Sequence, residues 1–325
     1  QDLISKKSSN LNFKKASLLF STQEEQNLPE YVKSFVPDLG RVIWKVQDDS
    51  PIYAYIYKNR NGKKIGYLYL PSFSFYDDEM EENVITAIAN ILTIFNKKTD
   101  ALVFDITNNP GGSSYVMNTL LSMLSSKPIK VLLEQEVISQ QEVYNALIIL
   151  KYLEYLKESE EYKENKEDFS EEELENIKDY FSTIVETFKN GKTLTEPLHL
   201  FGEKEIQPNS TVVYKKPMLV LINELDFSCG DFFPAMIQDN KLGKLFGKKT
   251  AGAGGYVLFH PYSSSFGVAG FSLTGSIGYR FDGSPIENLG VTPDIPYELT
   301  VKDLQSNYQD YIHAVNTEVN KLLKK

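Results

Sequence analysis

Two stretches of this chain, Ala101–Ile106 (ALVFDI) and Met218–Asn223 (MLVLIN), run almost continuously apolar for the length of one strand. A strand with one face in water alternates apolar and polar side chains. A continuous run is what a strand buried on both faces needs, and such strands belong to parallel sheets covered by helices. Helical spacing of Val84, Ile85, Ile88, Ile91 and Leu92 within Glu79–Phe95 separates Ile65–Leu70 from Ala101–Ile106, which makes a β-α-β unit. The fold class that follows is mixed α/β with parallel crossovers.

Residues 1–40 are polar, punctuated by Pro29 and Pro37, and read as an extended or short-helical lead-in segment. From Arg41 come VIWKV, PIYAYIYK and IGYLYLPSF, the last two flanking a turn with Asn61-Gly62, so an N-terminal β-hairpin is expected. Met117–Leu124 reads as a second helix, and Ile129–Leu133 and Thr211–Tyr214 as short strands. Residues 138–195 break the rhythm. They are densely charged with apolar residues at helical spacing, and read as an acidic insertion of two helices, the second started by Ser170 and Glu173 in capping-box spacing. A core over 41–137 and 196–300 and a C-terminal helix over 301–325 complete the expected organisation.

At 325 residues the chain is long enough to bury a substantial core. Its net charge of −10 argues against nucleic acid or an anionic membrane as the main partner, and no apolar run reaches the roughly 18–20 residues of a membrane span. The single cysteine, Cys229, cannot form an internal disulfide. The opening QDLISKKSSN has neither the pattern of a signal peptide nor an initiator methionine, which predicts that the chain begins inside a longer protein.

The chemistry is concentrated where the two buried-type strands end. Leu221–Thr250 runs from strand through a tight turn carrying Ser228 straight into a helix. That places a serine hydroxyl beside the first free N–H groups of the helix, where partial positive charge favours a developing oxyanion. An ordinary N-cap serine has the same sequence signature. After Ala101–Ile106 the chain reads Asn108, Asn109, Pro110, Gly111, Gly112, and paired glycines permit positive φ and close backbone approach to a ligand. The functional reading is an oxyanion hole made by the N–H of Gly111 or Gly112 with that of Cys229; the plain one is a tight turn. A third segment, GSPIENLGVTPDIPYEL (283–299), carries Glu287 and ends in an edge strand. Glu287 reads either as the carboxylate that orients a histidine base or as a solvated turn residue.

In order along the chain, YLYLPSF, LVFDITNNPGG, VLINELDFSCGDFFPAMIQDN, GKKTAGAGG and IENLGVTPDI resemble the blocks of the C-terminal processing (tail-specific) serine protease family. The resemblance covers residues 41–137 and 196–300. It implies a crotonase-like ββα-spiral core, Ser228 as nucleophile, and oxyanion donors at Gly111 or Gly112 and Cys229. Bacterial tail-specific members carry a lysine base where Gly252, Ala253 and Gly254 stand here, so that base position is Ala253, with Lys248 and Lys249 out of register. The chain is more similar to the Ser-His-Glu subset, which contains the tricorn core and the chlamydial protease-like activity factor. DFSCGDFFP and EPLHLFG carry that likeness, and the triad glutamate falls in the block with Glu287.

A serine hydroxyl needs a base whose pKa lies near the working pH. The histidines are His199, His260 and His313, whereas in the resembled subset the base comes from upstream of the YLYLPSF strand, where this chain has none. The expectation is therefore a histidine supplied by an absent N-terminal fragment of the same protein. His260, beyond the glycine-rich loop, is the internal candidate, and His199 and His313 read as packing or surface residues. What the resemblance implies is the C-terminal catalytic part of a serine endopeptidase acting on proteins or peptides bound by strand addition, with no metal or organic cofactor, as a homodimer, secreted or periplasmic. Two other readings stand beside it. One is a non-catalytic member that binds a peptide or apolar ligand, favoured by Ala253 and the missing upstream histidine. The other is an acyl-CoA enzyme of the crotonase fold, which rests on fold analogy alone.

Overall fold

The computed structural model describes residues 34–47, 50–158, 171–262 and 266–324. The lead-in expected over 1–40 lies mostly outside the described residues, and the Ser170 cap lies wholly outside them. The described residues divide into two compact units, the first drawn from 34–129, 206–253 and 288–324, the second from 130–205 and 254–287.

The first unit is built on a seven-stranded sheet. Its strands β1 (Arg41–Lys45), β2 (Tyr53–Lys58), β3 (Lys64–Tyr69), β4 (Ala101–Asp105), β5 (Met218–Ile222), β6 (Lys244–Gly247) and β7 (Ile295–Pro296) lie side by side in chain order. The β1–β2 and β2–β3 pairs are antiparallel, the latter being the expected hairpin, and every pair from β3 to β7 is parallel. Helices α1 (Asp78–Lys98), α2 (Ser114–Ser122), α3 (Cys229–Asp239), α4 (Val301–Gln305) and α5 (Gln309–Leu322) belong to the same unit.

Every residue of β4 and β5 is buried, as their continuous apolar runs require. One sheet face packs Tyr67, Val103, Leu219, Leu221 and Phe246 against Tyr311, Val315 and Val319 of α5. α1 begins at an Asp77 N-cap that accepts from the Met80 N–H at 2.8 Å, has three acids in its first turn and ends on Lys97 and Lys98, which suits the helix dipole. Its buried Phe95 lies against β3 only because position 66 is glycine: a Cβ there would stand 2.5 Å from the Phe95 ring.

Three local expectations are revised. Thr211–Tyr214 is not a strand: the Thr211 and Val212 N–H groups donate to Asn209 Oδ1, the Val213 carbonyl accepts from Asn96 Nδ2 at 2.8 Å, and the Tyr214 N–H donates to the Met123 carbonyl at 2.7 Å. Side chains and a loop thereby take the groups a ladder would need. The Ile129–Leu133 strand is replaced by two short ones, Ile129–Lys130 and Leu133–Glu136. The C-terminal helix is broken into α4 and α5 because Asn307 and Tyr308 are both left-handed, at φ 53° and 60°. The Asp303 carboxylate bridges the break by accepting from the Thr300 and Tyr311 N–H groups.

In the second unit, helices Gln140–Glu158 and Glu171–Lys189 share a core that includes Ala146, Ile149, Leu153, Leu174, Phe181 and Ile184. Two antiparallel pairs accompany them, Leu133–Glu136 with Ser276–Tyr279 and Val257–Pro261 with Gly270–Thr274. No described helix is long and apolar enough to cross a membrane.

Candidate active site

Parallel strands deliver their C-terminal loops to one edge of the sheet, so the loops after β4 and β5 are neighbours. They are stitched together by polar groups. Asn108 and Asn223 exchange two hydrogen bonds, Asn108 N–H to Asn223 Oδ1 at 3.0 Å and Asn223 Nδ2 to Asn108 Oδ1 at 2.7 Å. Asp226 accepts from the Asn109 N–H at 3.0 Å and the Asn223 N–H at 2.8 Å, and the Phe227 N–H donates to the Asn109 carbonyl at 3.0 Å.

Ser228 follows in a conformation few non-glycine residues adopt, φ 52° and ψ −118°. It stands at the N-cap position of α3, yet its side chain makes no capping hydrogen bond. This separates it from an ordinary N-cap serine, whose oxygen accepts from the first turn. A strained strand-to-helix turn holding an uncommitted hydroxyl is the geometry of a nucleophile elbow. The hydroxyl's surroundings are close. A Cβ on Gly111 would lie 2.6 Å from Ser228 Cβ, 2.7 Å from the Phe227 carbonyl oxygen and 3.0 Å from the Cys229 nitrogen. One on Gly230 would lie 2.6 Å from the Asn109 carbonyl oxygen.

The two loop glycines differ in what their N–H groups do. That of Gly111 donates to Asn109 Oδ1 at 2.8 Å. The Gly111 carbonyl accepts from the Phe73 N–H at 2.8 Å and from Ser72 Oγ at 3.2 Å. In a trans peptide the N–H points opposite to the carbonyl, so these two bonds fix the direction of the Gly112 N–H, and no acceptor among the described residues meets it. Gly111 and Gly112 have φ of +94° and +137°, in the region that favours glycine. Cys229 Sγ donates to the Gly112 carbonyl at 3.1 Å.

A third loop closes on the same turn. The fully buried Asp231 in the first turn of α3 accepts from the N–H of Gly252 and of Ala253, both at 3.0 Å, and from Thr250 Oγ1. The Ala253 carbonyl in turn accepts from the Ser228 N–H at 2.9 Å. Ala253, the residue that the family resemblance sets against a lysine, thus touches the serine backbone and carries only an exposed methyl group. Lys248 is committed elsewhere, pairing with Glu224 at 2.9 Å and Glu298 at 3.4 Å. Burial pushes the Asp105, Asp226 and Asp231 carboxyls above the usual carboxylate range, outweighing the hydrogen bonds that each accepts.

The remaining sequence candidates are distributed over both units. Glu287 lies in the second, where Oε1 accepts from the Gly255 N–H at 2.6 Å and Oε2 from the Gly278 N–H at 2.8 Å. His260 stacks on Phe271 across the Val257–Pro261 hairpin, ring centroids 5.3 Å apart. His199 is half-buried, and burial lowers its pKa. His313 is exposed on α5 in the first unit. No group of three or more His, Cys, Asp or Glu side chains among the described residues could hold a metal ion. Asn109, Asn223 and Asp226 were not singled out from sequence. The signal available was weak: an Asn-Asn pair before Pro-Gly-Gly, and an Asn with an Asp three positions on, which is ordinary turn chemistry.

Comparison with known proteins supplies the context. Residues 64–297 match the description Peptidase family S41. An uncharacterized protein of Chlamydia muridarum (strain MoPn / Nigg) is 36% identical over 305 residues, which span 89% of this chain and 50% of that one. A Chlamydia pneumoniae protein is 35% identical over 302 residues, 88% of this chain and 49% of its own. Among solved structures, mature CPAF is 34% identical with a TM-score of 0.78, covering 89% of this chain and 58% of that one. Mature CPAF complexed with lactacystin is 33% identical with a TM-score of 0.79, covering 95% and 62%. The chain spans about half the length of the curated relatives it matches.

Proposed function

The chain belongs to peptidase family S41, and from that premise we propose that it carries the nucleophile and oxyanion hole of a serine endopeptidase with a crotonase-like ββα-spiral core. The observation that carries the reading is Ser228, at φ 52° on a strand-to-helix turn, its side chain withheld from capping the helix it precedes. Ser228 Oγ attacks the substrate carbonyl. Negative charge then develops on the carbonyl oxygen, and the N–H groups of Gly112 and Cys229 are the donors assigned to it. Gly111 is excluded because Asn109 Oδ1 already takes its N–H, so its part is to let the loop approach Ser228. Such preorganised donors are worth about 3–4 kcal/mol each in acyl transfer.

The base is a histidine, and Glu287 is the carboxylate that the family resemblance assigns to orient it. Ala253 cannot act as a base, and the relatives' greater length gives room for a histidine outside the matched half. The substrate is an extended segment of protein. The decisive experiment is fluorophosphonate labelling and cleavage of an unfolded protein by the full-length gene product, with and without Ser228→Ala. Labelling and cleavage are both expected to vanish in the variant. Equal cleavage by both proteins would remove Ser228 from the mechanism. Because CPAF has been crystallised with lactacystin, protection of Ser228 from labelling by that compound is the matching competition assay.

A second reading has one observation of its own. With Ala253 at the lysine position, the described partners of the Ser228 turn include no base, which suits a member that binds peptides without cleaving them. Full-length protein that binds an extended peptide yet resists labelling at Ser228 would establish that reading.

A further inference from the structure

The first unit contains a cavity of about 880 Å³ that shares no lining residue with the Ser228 loops. Its walls are the segment Asp38–Arg41, the end of β2 with the turn that follows it, Lys58–Gly62, and one side of α5 together with Lys324 just beyond that helix. Arg41, Lys58, Arg60, Lys321 and Lys324 line it, against a single carboxylate, Asp38, which accepts from Tyr53 Oη at 3.0 Å. On a chain of net charge −10, five cations around one cavity are a local reversal of sign.

Lys321 pairs with Glu318 at 2.7 Å, but among the described residues no carboxylate pairs with Arg41, Lys58, Arg60 or Lys324. Lys321 and Lys324 have an ordinary role as well, since cations near a helix C-terminus offset its dipole. That explanation does not reach Arg41, Lys58 and Arg60, which come from β1, the end of β2 and the hairpin turn. Gathering unpaired cations costs repulsion that an anion would relieve.

The walls are held in place independently of any ligand. Asn59 Oδ1 accepts from the Asn61 and Lys63 N–H groups, both at 3.0 Å, and fixes the turn. Asn59 Nδ2 donates to Asn320 Oδ1 at 2.9 Å, which ties the turn to α5. Asn316 Nδ2 donates to the Leu39 carbonyl at 2.8 Å, which ties α5 to the third wall, while its own Oδ1 is buried with no donor. The volume falls in the range of small-molecule sites, about 300–1,000 Å³.

We propose that this cavity is a binding site for a small polyanion bearing two or more phosphate groups, held by Arg41, Lys58 and Arg60 from one side and by Lys321 and Lys324 from the other. Guanidinium groups match phosphate oxygens in pairs, and the surplus of cations suits several negative charges better than one carboxylate.

The test is calorimetric titration of the chain with inorganic tripolyphosphate, with citrate and sodium chloride at matched ionic strength as comparison arms. The variants are Lys58→Glu, half-buried at the end of β2, combined with Arg60→Glu on the exposed turn, and Lys151→Glu, a charge reversal on an exposed helix position of the other unit. Saturable tripolyphosphate binding is expected, weakened at least about tenfold in the turn double variant and unchanged in Lys151→Glu. Intrinsic fluorescence of Trp44 verifies that the double variant is folded. Should the double variant unfold, Arg60→Gln alone, on the exposed turn, is expected to weaken binding in the same direction. Absence of saturable binding, equal affinity in all variants, or citrate binding as tightly as tripolyphosphate would each overturn the proposal.

Discussion

Replacing Gly111 by alanine tests whether the diglycine loop and the Ser228 turn are one mechanical object. The new Cβ would stand 2.6 Å from Ser228 Cβ and 2.7 Å from the Phe227 carbonyl oxygen, neither of which can rotate away. Left-handed backbone at φ +94° adds about 1–2 kcal/mol of strain for a side-chain-bearing residue, and overpacking a rigid contact about 1–3 kcal/mol more. The expected loss is therefore about 2–5 kcal/mol. Gly62→Ala isolates the strain: Gly62 has φ +76° in the β2–β3 turn, and its Cβ would meet nothing within 4 Å. The excess of one variant over the other then measures the contact with Ser228. Urea unfolding followed by the only tryptophan, Trp44, reads the right unit, since Trp44 sits on β1 and meets the Phe95 ring edge-on at 6.1 Å. Fluorophosphonate labelling of full-length protein, under conditions where the variant is still folded, reads the site. We expect labelling to fall in Gly111→Ala and to be untouched in Gly62→Ala. If the two variants lose equal stability and label equally, the loop does not position the serine and the reasoning fails.

Asp231→Ala leaves the buried Gly252 N–H without an acceptor and releases that of the exposed Ala253, a loss of about 1–3 kcal/mol carried by the Gly252 group; Asp231→Asn should lose less, and hydrogen exchange at residues 250–253 should accelerate in both, so unchanged exchange there would count against Asp231 as the anchor of that loop. The second unit has a pH signature of opposite sense to ordinary acid denaturation. Desolvation, with Glu136 as the next contributor, raises the Glu134 carboxyl from 4.5 to about 8, partly offset by Ser276 Oγ donating to it at 2.7 Å. The folded state keeps a proton that the unfolded chain releases, so stabilisation is complete below pH 4.5 and fades as pH rises toward 8. Glu136 beside it is raised too, to about 7, so the pair titrates together and stability of this unit falls as pH rises across that interval. Hydrogen exchange in Leu133–Glu136 and Ser276–Tyr279, corrected for its intrinsic pH dependence, should show that slope in the wild type and a flatter one in Glu134→Gln; parallel slopes would refute it.

What was legible in the sequence divides along a physical line. Continuous apolar runs announced β4 and β5 because burial on both faces leaves no room for polar alternation, and their parallel pairing in a helix-covered sheet is the arrangement such strands need. Gly111, Gly112 and Ser228 were legible because a tight approach at positive φ has few chemical solutions, and two of those positions are glycine. The groups that hold those positions were not. Asn109 reaches Asp226 across 117 residues of sequence, and Asp231 meets Ala253 across 22, through single hydrogen bonds that impose no periodicity and need no rare residue. Thr211–Tyr214 misled for the converse reason: its β-branched composition suits a strand, but Asn96 and Asn209 satisfied its backbone first. The same limit separates Gly111 from Gly112. Both satisfy the local pattern equally, and only the Asn109 side chain, by occupying the Gly111 N–H, makes Gly112 the one without an acceptor among the described residues. A motif therefore locates a glycine loop, while which of its N–H groups stays available is decided by a neighbour's amide two residues away, which is why Asn109→Ala should free the Gly111 N–H and loosen the Gly112 one together.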